Sequence, residues 1–525
     1  MRPLIAALLV LLLAWPVLAQ APKAGGTLNL RLREDLPQGF AVHESPTIST
    51  LWPAQPCFNN LVQFDPAKPV HGPESIVPEL AQRWSWQDEY RSLVVFLRPE
   101  VKWHDGRPFT SADVVYTLDL VREVRDVGGK LRINPRRDLF ANVASVEAID
   151  PLTVVIRLKR PQPSLLMILA SGFTPIYASH VPAASYRTGC IGTGPFRLKD
   201  WKRGESVEYV RNPDYFIKGR PYLDGLRYTI IRDRGTGTAA LQAQRVDVAF
   251  PGDTTKPLAD QIKKAMPQIV TTAVGTSVVD HLLFNVRRPP FDNPRLREAV
   301  SRAIDRRAYI EAVYQGGATI GGPMAPKPYG VWSLSEKDIL AMPGYGKPAE
   351  EQARARALLA AGGASALKPE FVTRNLPAFL EVASFLAGEL KKVGIEVAVK
   401  PIDSAQWEAI KVRGEFQFGA DRTGMEPDDP DVTFYESYGC GSPRNYEQWC
   451  DQEMMRLFEQ QSQELDPAKR MATVQTIQRK LGAVSVRPVL AWRLDYFARW
   501  PYVKNLTPHH SIYGWGRLQD VWLDR

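Results

Sequence analysis

His104 and Asp105 lie side by side in Lys102-Trp103-His104-Asp105-Gly106, and their types are those of a general base and the carboxylate that orients it. Farther on, His509-His510 has the donor chemistry of a metal site, and Cys57, Cys190, Cys440 and Cys450 have that of a metal cage or of disulfides. Spacing weighs against catalytic and metal uses. Two adjacent histidines on an extended or loop segment point different ways, so His509-His510 reads as a surface pair. The cysteines include no C-x-x-C pair. There is no G-x-x-x-x-G-K-[ST], no H-E-x-x-H and no G-x-S-x-G. Gly192-Thr193-Gly194 lacks the third glycine of a dinucleotide fingerprint and runs at once into Pro195, which suits a turn into a strand. No enzyme, no cofactor and no resident metal is expected.

The elements that must position His104 and Asp105 are written in residues 101 to 116. Asp105-Gly106 is a turn, Pro108 biases Arg107 to an extended backbone, and Thr110 with Asp113 three residues later forms a capping box. Val114, Leu118 and Val121 then fall on one helical face. Such devices describe a folded module, and His104 and Asp105 are read as its scaffold.

Arg2, the uncharged run Leu4 to Leu13 and Val17-Leu18-Ala19 have the form of an export signal cleaved after Ala19, with no cysteine near the bond to carry a lipid. No later segment offers eighteen consecutive apolar residues. The formal charge is +9, with lysine and arginine scattered among aspartate and glutamate, so a solvated surface is expected and no nucleic-acid partner. An oxidising compartment would let disulfides persist. Cys440 and Cys450 enclose Gly441, Pro443 and Asn445 in a short loop and are expected to pair, whereas spacing leaves a Cys57–Cys190 pair open.

Alternation in Gly26 to Leu32 predicts a half-buried strand that opens a first lobe. Trp84 to Arg98 and Val143 to Lys159 read as extended pairs with helices between them, an α+β insertion, and Phe196 to Asp233 is again strand-rich. Asn293-Pro294 caps a helix with Leu296, Val300, Ala303 and Ile304 on its apolar face. Pro377 to Val393 is a second helix stopped at Gly394, with Ile395, Val397 and Val399 alternating as the strand after it. The tail from residue 495, with Val503 and Trp515 to Trp522, is too short to fold alone.

The spelling Lys-Trp-His-Asp-Gly-x-Pro-Phe-Thr-x-x-Asp-Val resembles the signature of the peptide, dipeptide and nickel class of extracytoplasmic solute-binding proteins of ABC importers, solute-binding protein family 5. Pro56 to Asp65, Val77 to Trp84, Gly192 to Phe196, Arg211 to Phe216, Ala240 to Ala249, Asn285 and Asp292 to Asp305 follow in the family's order. The resemblance implies an α/β fold of two periplasmic-binding-protein-like lobes, with an extra α+β subdomain inserted in the first lobe. On this chain that implies a signal over 1–19, lobe I over 20–283 with the insertion at about 55–190, lobe II over 284–494 and a return to lobe I over 495–525. It implies a monomeric periplasmic protein that captures short peptides and serves a permease at the inner membrane. A nickel chelate, oligosaccharide, opine or amino-acid derivative is the alternative cargo; a secreted hydrolase or periplasmic chaperone is the reading from another class.

The resemblance also assigns the ligand residues. Phe418-Gly419-Ala420-Asp421 stands where a Trp-x-Gly-Asp-type turn supplies the carboxylate for a ligand ammonium, with Phe418 in place of tryptophan, so Asp421 is expected to make that charge-assisted bond. Arg374, with one residue gapped, falls near the arginine that takes a ligand carboxylate. Ile48, Ser49 and Thr50 lie in a stretch that resembles the cleft loop, with His43 nearby as a capping or turn residue, and Trp407, Tyr435 and Tyr438 are candidate cleft aromatics.

Overall fold

In the computed structural model the described residues are 21–45, 47–69, 72–124, 134–364, 367–511 and 516–525. The expected export signal and Trp515 lie outside them. Thr27–Leu32 forms the expected strand, with Leu28, Leu30 and Leu32 fully buried. It pairs in parallel with Gly225–Ile230, and Ser206–Arg211 and Phe196–Lys202 extend that sheet antiparallel to four strands. Parallel partners so far apart in sequence need a crossover, and the chain between them builds the insertion.

The insertion centres on a second four-stranded sheet, in the order Ala81–Gln87, Ser92–Leu97, Thr153–Leu158, Val143–Asp150. Helix Ser111–Val121 packs on it, started as the sequence predicts: the Thr110 N–H donates to Asp113 Oδ2 at 2.9 Å. Buried Trp103 donates its indole N–H to the same carboxylate at 3.3 Å. His104 faces the Gly194 carbonyl at 3.0 Å and Asp105 faces His180 at 2.8 Å, so neither histidine–aspartate neighbour bonds the other.

The second lobe is built on a six-stranded sheet in the order Ala318–Thr319, Val489–Arg499, Val270–Phe284, Phe418–Gly424, Glu370–Arg374, Ala398–Ile402. Val270–Phe284 and Val489–Arg499 are the long strands that cross between lobes. At one end Val270 pairs with Arg499, which bridges Val248 and through it Leu30 of the first sheet; at the other, Phe284 pairs with Phe418. Their register shifts between Gly275 and Val279, and the ring of Tyr329 occupies the place a Cβ on Gly275 would need. A bulge of this kind loosens and twists a ladder, which suits a hinge.

Helix Pro294–Ala303 starts at an Asn293 cap that accepts from Arg295 N–H at 3.0 Å, and Leu296, Val300, Ala303 and Ile304 are buried. Helix Pro377–Lys391 also forms, and Gly394 adopts φ +93°. The strand after it begins later than the alternation predicts, at Ala398: Ile395 makes only a single bridge to Leu367, because this is the edge of the sheet and Val399 faces solvent. Cys440 and Cys450 are bridged, with Cα atoms 4.8 Å apart, and Cys57 and Cys190 are bridged as well, 6.5 Å apart. His509 and His510 are a correction to the expectation of a surface pair: both are buried, His509 facing the Pro66 carbonyl at 3.0 Å, because the C-terminal segment packs back on the first lobe. Val503–Lys504 pairs there with Trp522–Leu523.

Candidate functional site in the interlobe cleft

The cleft takes its walls from strand ends and turns of both lobes. Arg33 follows the first strand; Thr47 caps the short helix Ile48–Ala54; Pro251 and Gly252 lie beyond Val248. Opposite them stand Arg374 at the end of Glu370–Arg374, Phe379 in helix Pro377–Lys391, and Arg422 in strand Phe418–Gly424. Val278 and Arg493 come from the two crossover strands.

Of the residues the sequence singled out, Ile48 and Arg374 line this cleft. Asp421 is placed differently from its expected role. Its Oδ1 accepts from Arg374 Nε at 3.2 Å and from Arg422 N–H at 2.8 Å; its Oδ2 accepts from Trp407 Nε1 at 3.0 Å and from Lys411 Nζ. A carboxylate offers about four acceptor positions, and these partners occupy them. Burial opposes its charge, but Arg374 and Lys411 outweigh that cost and hold the Asp421 carboxyl far below the usual range. Glu408 completes the cluster through Arg374 Nη2 and, at 3.0 Å, Lys411 Nζ. Asp421 therefore aims the inner edge of Arg374 and leaves no acceptor for a ligand ammonium.

The other candidates pack rather than line. Phe418 is stacked on Phe284 and tilted against Phe291 with its ring fully buried, and Trp407 is buried against Phe416. Tyr435 and Tyr438 pack on Phe458 and Trp449. Ser49 donates to Glu34 at 2.6 Å and Thr50 to Gln38 at 3.2 Å, both facing into the first lobe. Position along the chain fixes neither which side of an element a residue faces nor what it meets.

Sequence reasoning missed Arg33, Arg422 and Arg493. A signal for two of them exists: Arg422 neighbours Asp421 on a strand, so it faces the opposite side of the sheet, and Arg493 is a cation directly after the apolar run Val489 to Trp492. Arg422 donates to Asp280 at 3.2 Å and to the Ala378 carbonyl at 2.8 Å, while Arg493 donates to the Gly252 carbonyl at 2.7 Å.

Contacts also cross the cleft at its outer edge. Arg136 of the insertion donates to Glu436 at 2.5 Å, and Ser164 to Asp431 at 2.5 Å, both carboxylates belonging to helix Pro430–Tyr438. On the far side Arg234 reaches Glu381 at 3.1 Å.

The sequence profile described as "Bacterial extracellular solute-binding proteins, family 5 Middle" matches residues 75–445. The chain belongs to this family. Among solute-binding proteins with related sequences, the probable di/tripeptide-binding protein 5 of Pseudomonas aeruginosa is 26% identical over 471 residues, covering 84% of this chain and 86% of the relative. Among solved structures, the periplasmic binding protein DppA of Helicobacter pylori in complex with the peptide STSA superposes with a TM-score of 0.84 at 20% identity, covering 96% of this chain and 99% of that one. The binding protein AgaA of A. tumefaciens R10 in complex with agropinic acid gives 0.83 at 24% identity, covering 95% and 99%. The two-lobed architecture of this solute-binding protein is thus shared with both.

Proposed function

We propose that this protein is the periplasmic solute-capturing component of an ABC importer, and that its cargo is a short peptide or peptide-like molecule enclosed between the lobes and handed to an inner-membrane permease. The observation that carries this reading is a cleft whose walls come from both lobes and from the strands that join them, so that a bound solute would tie the lobes together. The relatives, a probable di/tripeptide-binding protein and a binding protein holding the peptide STSA, favour peptides; the neighbour that holds agropinic acid keeps an amino-acid derivative as the second reading, favoured here by the arginines around the cleft. A free monomer fits the reading, with residues 1–19 removed on export, lobe I over 20–283 and 495–525, and lobe II over 284–494.

The experiment is a thermal-shift screen paired with mass spectrometry of the co-purifying small molecule. Peptide digest is expected to raise the melting temperature and nickel or other metal salts to leave it unchanged. Stabilisation by sugars or metal alone would reject the peptide cargo.

A further inference from the structure

The cleft is lined by four guanidinium groups and no carboxylate: Arg33 from the first lobe, Arg374 and Arg422 from the second, and Arg493 from a crossover strand. All four are nearly buried, with Arg33, Arg374 and Arg493 at 8%, 5% and 4% exposure and the Arg422 side chain at 9%. Buried N–H groups are normally paired. Here the Nε of Arg33, Nη1 of Arg422 and Nε of Arg493 have no hydrogen-bond partner among the described residues. Arg33 stands 3.7 Å from Glu34, beyond hydrogen-bond reach.

Aromatic rings explain part of this arrangement. The guanidinium carbons of Arg374 and Arg422 lie 5.2 and 4.6 Å from the centre of the Phe379 ring, and that of Arg33 lies 5.0 Å from Phe250 and 6.0 Å from Phe379. A cation over a ring is stabilised through its face, whereas its N–H donors lie in its plane. Such packing therefore supports the cations without satisfying these three N–H groups. The nearby acids do not reach these three N–H groups either: Asp421 takes Arg374 Nε, Asp280 accepts from Tyr309, Tyr314 and Arg422 Nε, and Asp253 is held by Arg31 at 2.7 Å. The cost shows at Arg33, which burial pulls below its ordinary pKa; Glu34 and Asp253 oppose that shift, and the charges of Arg374 and Arg422 add to it.

Resting on the solute-capture reading, we infer that the cleft selects a solute with at least two anionic groups, each taken by a guanidinium edge from a different lobe, and that a ligand ammonium contributes little to recognition. An oxyanion accepts from such N–H groups with charge assistance, and a second anionic group is what lets Arg33 and the Arg374–Arg422 side be engaged at once. Phe379 supplies the apolar floor between them.

Calorimetric titration of the full-length mature protein tests this with Ala-Glu-Glu, Ala-Gln-Gln, N-acetyl-Ala-Glu-Glu and glutarate. Ala-Glu-Glu is expected to bind at least about tenfold more tightly than Ala-Gln-Gln, to weaken as sodium chloride is raised, and to change by less than about threefold on N-acetylation. Equal affinity for Ala-Gln-Gln overturns the inference and leaves the peptide cargo standing; glutarate binding without any peptide binding supports the inference and removes the peptide cargo. Failure of every anionic probe, or loss of binding on N-acetylation, overturns it. Arg33→Gln, with an unchanged melting temperature of the ligand-free protein as the control for folding, is expected to erase the preference for Ala-Glu-Glu, and Arg33→Lys to restore part of it. A folded Arg33→Gln that keeps the full preference also overturns the inference.

Discussion

Replacing Asp421 by alanine strips Arg374 and Lys411 of one of the two carboxylates they share inside the second lobe, where their side chains are 6% and 3% exposed. Breaking a buried cluster on one side costs about 3–5 kcal/mol, so Asp421→Ala is expected to lose stability on that scale in urea unfolding, with any loss of ligand following from it. Titration acts in the opposite sense at Glu426. Burial raises its carboxyl to about 8, against a hydrogen bond from Ser511 and the charges of Arg136 and Arg517. The folded state then holds a proton that the unfolded chain gives up, so this contribution is full below the ordinary value of 4.5 and is lost as pH rises through about 8. Asp428, raised to about 7 by burial, adds to the same slope. The urea midpoint is expected to fall between about pH 5 and about pH 9, and Glu426→Gln to flatten that fall. Asp421 behaves conversely, its contribution present above 3.8 and lost as pH drops below it.

At the scale of elements, the two disulfides differ in what they tie. Cys440–Cys450 closes a separation of 10 residues just past helix Pro430–Tyr438, while Cys57–Cys190 closes 133 and pins the start of the insertion to its end. Loop-closure entropy assigns about 3 kcal/mol to the first and about 5 kcal/mol to the second. The pair Cys57→Ala with Cys190→Ala is therefore expected to lower the denaturation midpoint more than Cys440→Ala with Cys450→Ala. Only the short bridge was legible in the sequence, because a tight loop brings its own ends together, whereas Cys57 and Cys190 meet through a fold that spacing does not encode. The same divide runs through the other elements. Thr110 with Asp113, Asn293-Pro294 and the alternation from Thr27 to Leu32 are local signals, and they formed as written. The site is the product of several distant segments: Arg33, Arg374, Arg422 and Arg493 converge only when two sheets and two crossovers are in place. Asp421 was found by its surroundings in sequence, yet which face of its strand met the cleft depended on Lys411 and Trp407 across the layer.

At the scale of the molecule, the insertion and helix Pro430–Tyr438 hold the lobes together through residues outside the cleft lining. Glu436 takes Arg136 from the insertion and Arg444 from its own lobe, and Asp431 takes Ser164. Arg136→Ala is expected to speed ligand release about tenfold and to enlarge the ligand-free radius of gyration in X-ray scattering, since a lost buried charge pair acts chiefly on dissociation. An unchanged radius and release rate would mean that the outer contacts do not hold the lobes closed.

The inner place that Val489–Arg499 takes in the six-stranded sheet, between Ala318–Thr319 and Val270–Phe284, also sets the order in which the polypeptide can mature. A ribosome makes that strand more than two hundred residues after its partner. Until then Val270–Phe284 presents an unsatisfied edge with apolar side chains, which invites pairing with other chains. Pairing across so long a separation slows folding, and Val270–Phe284 stays open to mispairing until Val489–Arg499 reaches it.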